Sequence, residues 1–246
     1  MKGLDRRSVE LNELGWWSKW TKLMRRGDGY VMCSEGLREP FFNRAGALTC
    51  RAVARTAAWA ERTLSRRNMN TTILVYEDCV ASLGLLDSGY RRVDTMVVLF
   101  SAGPVGGPED GQHVSASTVP NDWTSAYLRS FYGDDRLMDV VTPIVVSLLH
   151  SRDVTLLESR MAGEVAGVLA IFRTNGIAGV YCVGTAPEHR REGVATRLLT
   201  KAKMIADSEG RALVLQTLKS DGVLGFYHDR GFEQMHAKAV LEKRLK

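Results

Sequence analysis

The chain has 246 residues, 45% hydrophobic and 25% charged, with a formal net charge of +5. Such a length allows one large domain or two small ones, and the apolar share is enough for a core without disulfide staples. The charge is modest and spread along the chain, which favours a solvated basic surface over a nucleic-acid groove, and no apolar run approaches the roughly 18 residues of a membrane span. In chain order, Val9, Leu11, Leu14, Trp17, Trp20 and Leu23 predict an amphipathic helix over residues 8–25. Its cluster Trp16, Trp17 and Trp20 suits core packing better than ligand stacking. Gly29–Cys33 reads as a short strand. Asn43 is placed to cap a long helix reaching about Arg67. Thr71–Tyr76 is a β-branched, buried strand, followed by a short helix over 80–87 that Gly89 ends, and Arg91–Phe100 is a further strand.

Residues 101–112, SAGPVGGPEDGQ, hold four glycines and two prolines and read as a linker. After it, residues 113–118 alternate as a strand. Asn121 is expected to cap a helix to about Tyr132, and a second helix covers about 134–150 with Pro143 inside it. Residues 154–160 and 165–172 form a hairpin around Gly163. Ile177–Thr185 is a strand, 192–209 a long helix, 211–218 a strand, 221–229 a short helix stopped by Gly231, and 235–245 the last strand. The two halves share an outline: long helix, apolar strand, short helix, Gly-aromatic (Gly89-Tyr90 and Gly231-Phe232), final strand. That weak repeat suggests a duplicated domain.

The four cysteines, Cys33, Cys50, Cys79 and Cys182, form no CxxC pair. Neither a zinc site nor a disulfide framework is expected, and a reducing cytoplasm is the expected compartment. The first 17 residues lack the apolar run of a secretory signal.

The chemistry concentrates in Val183-Gly-Thr-Ala-Pro-Glu-His-Arg190-Arg-Glu-Gly193-Val-Ala195-Thr. A strand end runs through a Pro-led loop into a long helix, whose first amides lack intrahelical acceptors and lie at the positive end of the dipole. That is a ready site for a pyrophosphate. Small residues at Gly193 and Ala195 let the anion reach the backbone, and Arg190 and Arg191 add charge at the mouth.

This Arg-x-x-Gly-x-Ala pattern resembles motif A of the GNAT superfamily of N-acetyltransferases. Tyr227-His-Asp-Arg-Gly231-Phe232 resembles the family's Tyr-x-x-x-Gly-Phe signature, and together the likeness covers about residues 112–246. It implies an α+β fold, a central mixed, mostly antiparallel sheet flanked by helices, with two related domains in tandem. Residues 1–100 would be a degenerate GNAT-like domain without a CoA motif, 101–112 a linker, and 113–246 the catalytic domain. The implied activity is acetyl transfer from acetyl-CoA directly to a primary amine of a small molecule, peptide or protein. The alternative is a non-catalytic, CoA-binding regulatory protein. No membrane or nucleic-acid partner is expected.

The resemblance also assigns residues. The strand end Cys182, Val183 to Thr185 would splay from its neighbour and pair with the pantetheine arm. The loop and helix start, Arg190, Arg191, Glu192, Gly193, Val194, Ala195 and Thr196, would take the pyrophosphate. Tyr227 would lie by the thioester sulfur, where a phenol can protonate the leaving thiolate. Ser220 stands where many relatives carry an asparagine that bonds the pantetheine or the loop. The strand 177–185 carries no carboxylate, so the general base is open among Tyr181, Cys182, Glu158 or a water chain. Cys182 as a covalent nucleophile is not required by direct transfer. His189 could touch the nucleotide but reads better as solvent-facing, and a pairing of His228 with Tyr227 is discounted because adjacent helix residues point apart.

In the first half, Phe42-Asn-Arg44-Ala-Gly46-Ala occupies the expected helix start and has the wrong glycine spacing, while Leu85 stands in place of Tyr227. Glu35, Glu39 and the tryptophans are candidates for substrate contact.

Overall fold

A computed structural model describes residues 4–80, 84–101, 103, 105 and 113–245. The linker read at 101–112 lies mostly outside the described residues, as do residues 81–83 of the expected 80–87 helix. Two compact units emerge, and neither is one contiguous stretch. The N-unit comprises 13–98, 216–224 and 234–246, and the C-unit comprises 1–12, 99–215 and 225–233. A division into contiguous 1–100 and 113–246 is therefore replaced by one in which the chain's first residues join the C-unit and its last strand joins the N-unit.

In the N-unit the strands are β1 (Lys22–Arg26), β2 (Gly29–Cys33), β3 (Ala45–Ala47), β4 (Thr71–Tyr76), β5 (Arg91–Ser101) and, late in the chain, β11 (Phe232–Lys243). Their order is β1-β2-β3-β4-β11-β5. β3 and β4 run parallel, Ala45 opposite Ile73, because helix α2 (Cys50–Ser65) carries the chain across between them. The buried face of α2, Val53, Ala57, Ala60 and Leu64, packs with Val31, Ile73 and Val75 in one cluster. Full burial of each Val, Leu or Ile there contributes about 1.5–3 kcal/mol.

Helix α1 (Arg6–Trp17) is shorter than the expected 8–25. The hydroxyls of Ser18 and Thr21 donate to the carbonyls of Gly15 and Trp17, offering the backbone an exit, and Lys22–Arg26 pairs with β2 instead. Trp16, Trp17 and Trp20 are buried, with Trp17 edge-on to Phe41 at 4.5 Å, so they form core. Asn43 caps no helix. Fully buried, it accepts from the Ser34 amide at 3.0 Å and donates to the carbonyls of Leu37 and Glu39, closing the loop before β3. The helix starts at Cys50, after Thr49, so the expected helix start at 42–47 was misplaced.

A buried ion triad lies beneath this loop. Arg44 donates to Glu13 at 2.7 Å, Lys238 donates to the other Glu13 oxygen, and all three side chains are at most 3% exposed. The Arg44 guanidinium also lies 4.3 Å from the Phe41 ring centroid. Buried charges of this kind persist only when mutually paired. The cysteine expectation also fails: Cys50 is bonded to Cys79 in helix α3 (Glu77–Val80), their Cα atoms 5.4 Å apart. The separation of 29 residues hides that pairing from any local spacing rule.

The C-unit's strands are β6 (Val114–Ala116), β7 (Val154–Met161), β8 (Glu164–Thr174), β9 (Ile177–Thr185) and β10 (Ala212–Leu218), in the order β10-β9-β8-β7-β6. All pairings are antiparallel except β9 with β10, which helix α6 (Val194–Ser208) connects. Helix α4 (Pro120–Phe131) begins at its proline, with Val119 as N-cap in place of the expected Asn121, since Pro needs no amide acceptor at that position. Helix α5 (Met138–Leu149) starts later than expected and tolerates Pro143 inside it. The expected helix over 221–229 is a 3-10 turn, Lys219–Asp221, followed by α7 (Leu224–His228). Among the described residues no helix is long and apolar enough to cross a membrane.

Candidate functional site

Strand β9 has the expected bounds and an irregularity inside them. Tyr181 faces Ala170 and Gly184 faces Val168, so Cys182 and Val183 together stand opposite Leu169. This is a β-bulge, and Cys182 takes the strain of it with φ +54°. On its other side the ladder with β10 runs from Ile177/Ala212 to Val180/Leu215. β9 continues past that last pair to Thr185, and Cys182, Val183 and Thr185 are partly exposed. The strand end therefore carries a kink and a ladder that has run out on one edge.

The Cys182 side chain is only partly exposed. Burial of the sulfur pushes the thiol well above its ordinary range. Tyr181 is also occupied: its hydroxyl donates to Asn12 Oδ1 at 2.7 Å, while Asn12 Nδ2 donates to the Phe172 carbonyl at 3.1 Å and to Thr174 Oγ1 at 2.9 Å. Gly179 makes that room, because a Cβ there would lie 2.0 Å from Asn12 Oδ1. Nothing in the sequence announces Asn12, which is 169 residues from its partner.

After Thr185, buried Ala186 donates to the Ala166 carbonyl at 2.9 Å, and Pro187–His189 make a single 3-10 turn. Arg191 and Gly193 follow with φ of +67° and +78°. Gly193 is the N-cap, so the helix begins at Val194 and not at Glu192. A left-handed N-cap explains the glycine, and a Cβ there would meet only Arg197 Nη1 at 3.3 Å, so the space above it is open. No side chain caps this helix start and its first turn holds no acid, which leaves its amide end to an external acceptor.

Charged neighbours shape the loop. Arg190 donates to the carbonyls of Thr185 at 3.4 Å and Ser130 at 3.3 Å. His189 lies 3.1 Å from the Glu192 carboxylate, and Glu188 pairs with Arg129 at 2.9 Å, so both acids of the loop are engaged. The basic side and the open amides fit an anion such as a diphosphate. Val194 is buried, Ala195 partly exposed, and Thr196 accepts a hydrogen bond from Arg230 Nε at 2.9 Å.

That bond fastens the second signature to the first. Arg230 also donates to the Phe226 carbonyl at 2.8 Å and stacks on the Phe226 ring at 3.7 Å. Tyr227 is buried, edge-on to Phe232 at 5.8 Å. His228 Nδ1 lies 2.9 Å from the Phe232 carbonyl, a structural contact. Arg230 was inside the quoted signature, but only its bond to Thr196 gives it a role.

Glu158 sits on β7, opposite Val168. One oxygen accepts from Arg160 at 2.7 Å, and the other is buried without a hydrogen-bond partner. Arg160 bridges to Asp122 at 2.8 Å, and both acids hold its guanidinium above its ordinary range. Ser220 belongs to the N-unit, where its hydroxyl donates to Asp94. Burial draws the Asp94 pKa upward, but the bonds from Ser220 and the Thr95 amide outweigh it and hold the carboxyl below its usual range.

Residues 151–234 match the family model of the acetyltransferase (GNAT) domain. The chain is similar in structure to a GCN5-related N-acetyltransferase from Kribbella flavida, with TM-score 0.70 and 17% identity over 100% of this chain and 98% of that one. It is similar also to a GCN5-related N-acetyltransferase from Sphaerobacter thermophilus, with TM-score 0.66 and 16% identity over 96% and 85%. A tandem GNAT protein from the clavulanic acid biosynthesis pathway aligns with TM-score 0.59 and 12% identity over 97% and 96%. At these identities the likeness concerns the fold. No curated protein matches the chain in sequence.

Proposed function

Residues 151–234 match the acetyltransferase (GNAT) domain, and from that premise we propose that the chain is a GNAT-superfamily enzyme that transfers an acetyl group from acetyl-CoA directly to a primary amine. The observation that carries this reading is the segment Cys182–Thr196: a bulged strand whose ladder to β10 stops at Val180, running into an uncapped, acid-free helix start. Backbone groups past Val180 suit an extended pantetheine arm, added in the manner of a strand. The turn at Arg191 and Gly193 with the α6 amides suits the pyrophosphate, with Arg190 and Arg191 supplying charge.

In this reading a neutral amine attacks the thioester carbonyl, the carbon–sulfur bond breaks, and the sulfur leaves as a thiolate. Tyr227 is assigned the proton that the thiolate takes up. Burial that raises the Cys182 thiol above its ordinary range favours direct transfer over an acyl-enzyme. The amine's proton is left to solvent, a water chain or the unpartnered Glu158 oxygen, since Tyr181 is bonded to Asn12.

Thiol release from acetyl-CoA across a panel of amines tests the reading. Turnover with at least one amine, reduced about a hundredfold in kcat by Tyr227→Phe, is expected. Tight acetyl-CoA binding with no turnover on any amine would instead support a CoA-binding regulatory protein.

A further inference from the structure

The N-unit contains a cavity of about 1050 Å³ that acetyl transfer does not use. Its volume slightly exceeds the roughly 300–1,000 Å³ usual for small-molecule sites. Four arginines line it: Arg26 at the end of β1, and Arg51, Arg55 and Arg62 on α2. Spacings of four and seven residues put the last three along one helix face, with Ala58 and Trp59 between them. The Arg26 guanidinium lies 4.6 Å over the Trp59 ring.

Like charges at i and i+4, as in Arg51 and Arg55, weaken a helix unless something neutralises them. In the described residues that charge is set against a single carboxylate in the lining. None of the four arginines makes an ion pair there, and the one acid in the lining, Asp28, accepts from Thr49 at 3.2 Å. The acid on α2 itself, Glu61, is occupied by Tyr90 and Lys243, each at 3.1 Å. The first turn of α2 adds positive potential, since it has no acid and no side-chain cap, and Cys50 at its head is fixed by the bond to Cys79.

We propose that this cavity binds a small molecule carrying two or more phosphate groups. From Arg51 to Arg62 the helix rises about 16 Å, further than one phosphate spans, so the row engages at least two. Arg51 and Arg55 clamp the phosphate nearest the helix start with bidentate, charge-assisted bonds. Arg62 takes the next, and Arg26, braced on Trp59, joins them from the end of β1.

Calorimetric titration of sodium pyrophosphate at low salt tests this. The 246-residue chain carrying Arg190→Gln, Arg191→Gln and Gly193→Ala, which weakens both the charge and the backbone turn of the C-unit loop, is expected still to bind pyrophosphate. Adding Arg51→Gln and Arg55→Gln is expected to weaken that binding about tenfold or more. Unchanged affinity with those two replaced, or no binding before they are, overturns the proposal. Should the combined variant lose helical circular dichroism, Arg62→Gln alone is expected to weaken binding several-fold, and unchanged affinity there overturns the proposal equally. ADP in place of pyrophosphate separates a nucleotide from a free diphosphate. A single-stranded oligonucleotide that outcompetes both through the same arginines overturns the small-molecule assignment. Acetyl-CoA binding, weakened with Arg190, Arg191 and Gly193 replaced but kept with Arg51 and Arg55 replaced, tells failure here from failure of the acetyltransferase reading.

Discussion

Each unit contains a strand, a helix and a second strand parallel to the first: β9–α6–β10 in the C-unit and β3–α2–β4 in the N-unit. The passage from strand to helix is where they differ. In the C-unit it is a loop from Ala186 to Gly193 with two left-handed residues, and it presents backbone amides. In the N-unit only Leu48 and Thr49 separate β3 from α2, too few to wrap an anion, and positive charge comes from arginine side chains. Backbone donors fix geometry and allow little variation. Side-chain donors fix charge and leave geometry to the ligand.

The largest expected effect falls on the N-unit's frame. Glu13→Ala leaves Arg44 and Lys238 buried without their shared carboxylate and is expected to cost about 3–5 kcal/mol in urea unfolding. A cost below about 1 kcal/mol would mean that water reaches the pair. Next is Tyr227→Phe, expected to lower kcat about a hundredfold with acetyl-CoA affinity retained. A loss confined to KM would make the tyrosine a packing residue. Gly193→Ala places a Cβ at φ +78° and is expected to weaken acetyl-CoA about tenfold, read by calorimetry. If affinity is unchanged, the backbone of this turn is not what holds the diphosphate. The smallest effect is expected from Cys182→Ala, with kcat/KM within about threefold of the parent. Slow alkylation of Cys182 at neutral pH should accompany it, since burial keeps the thiol protonated.

Much of the C-unit was legible because its signals are local. Ile177–Thr185 is bounded by turn residues and rich in β-branched ones, and the strand has those bounds. Gly193 announced a special backbone, although it proved to be the cap and not a residue inside the helix. In the N-unit the same local logic misled. Asn43 has the chemistry of a helix cap, but its amide serves a buried loop, and Thr49 takes the N-cap position without a side-chain bond. Moving the helix start from Asn43 to Cys50 also exposed the row Arg51, Arg55 and Arg62, which a glycine-pattern comparison at 42–47 passes over.

By itself the sequence determined the strand–loop–helix of residues 177–208, the family resemblance and the aromatic core of Trp16, Trp17 and Trp20, because periodicity, turn chemistry and short motifs act over a few residues. Only the tertiary structure decided that Asn12 occupies Tyr181, that Glu13 joins Arg44 to Lys238, that Cys50 is bonded to Cys79 and that the last strand belongs with the first half of the chain. Those outcomes depend on which distant groups lose water together, and a buried hydroxyl, charge or thiol takes the partner that folding brings to it.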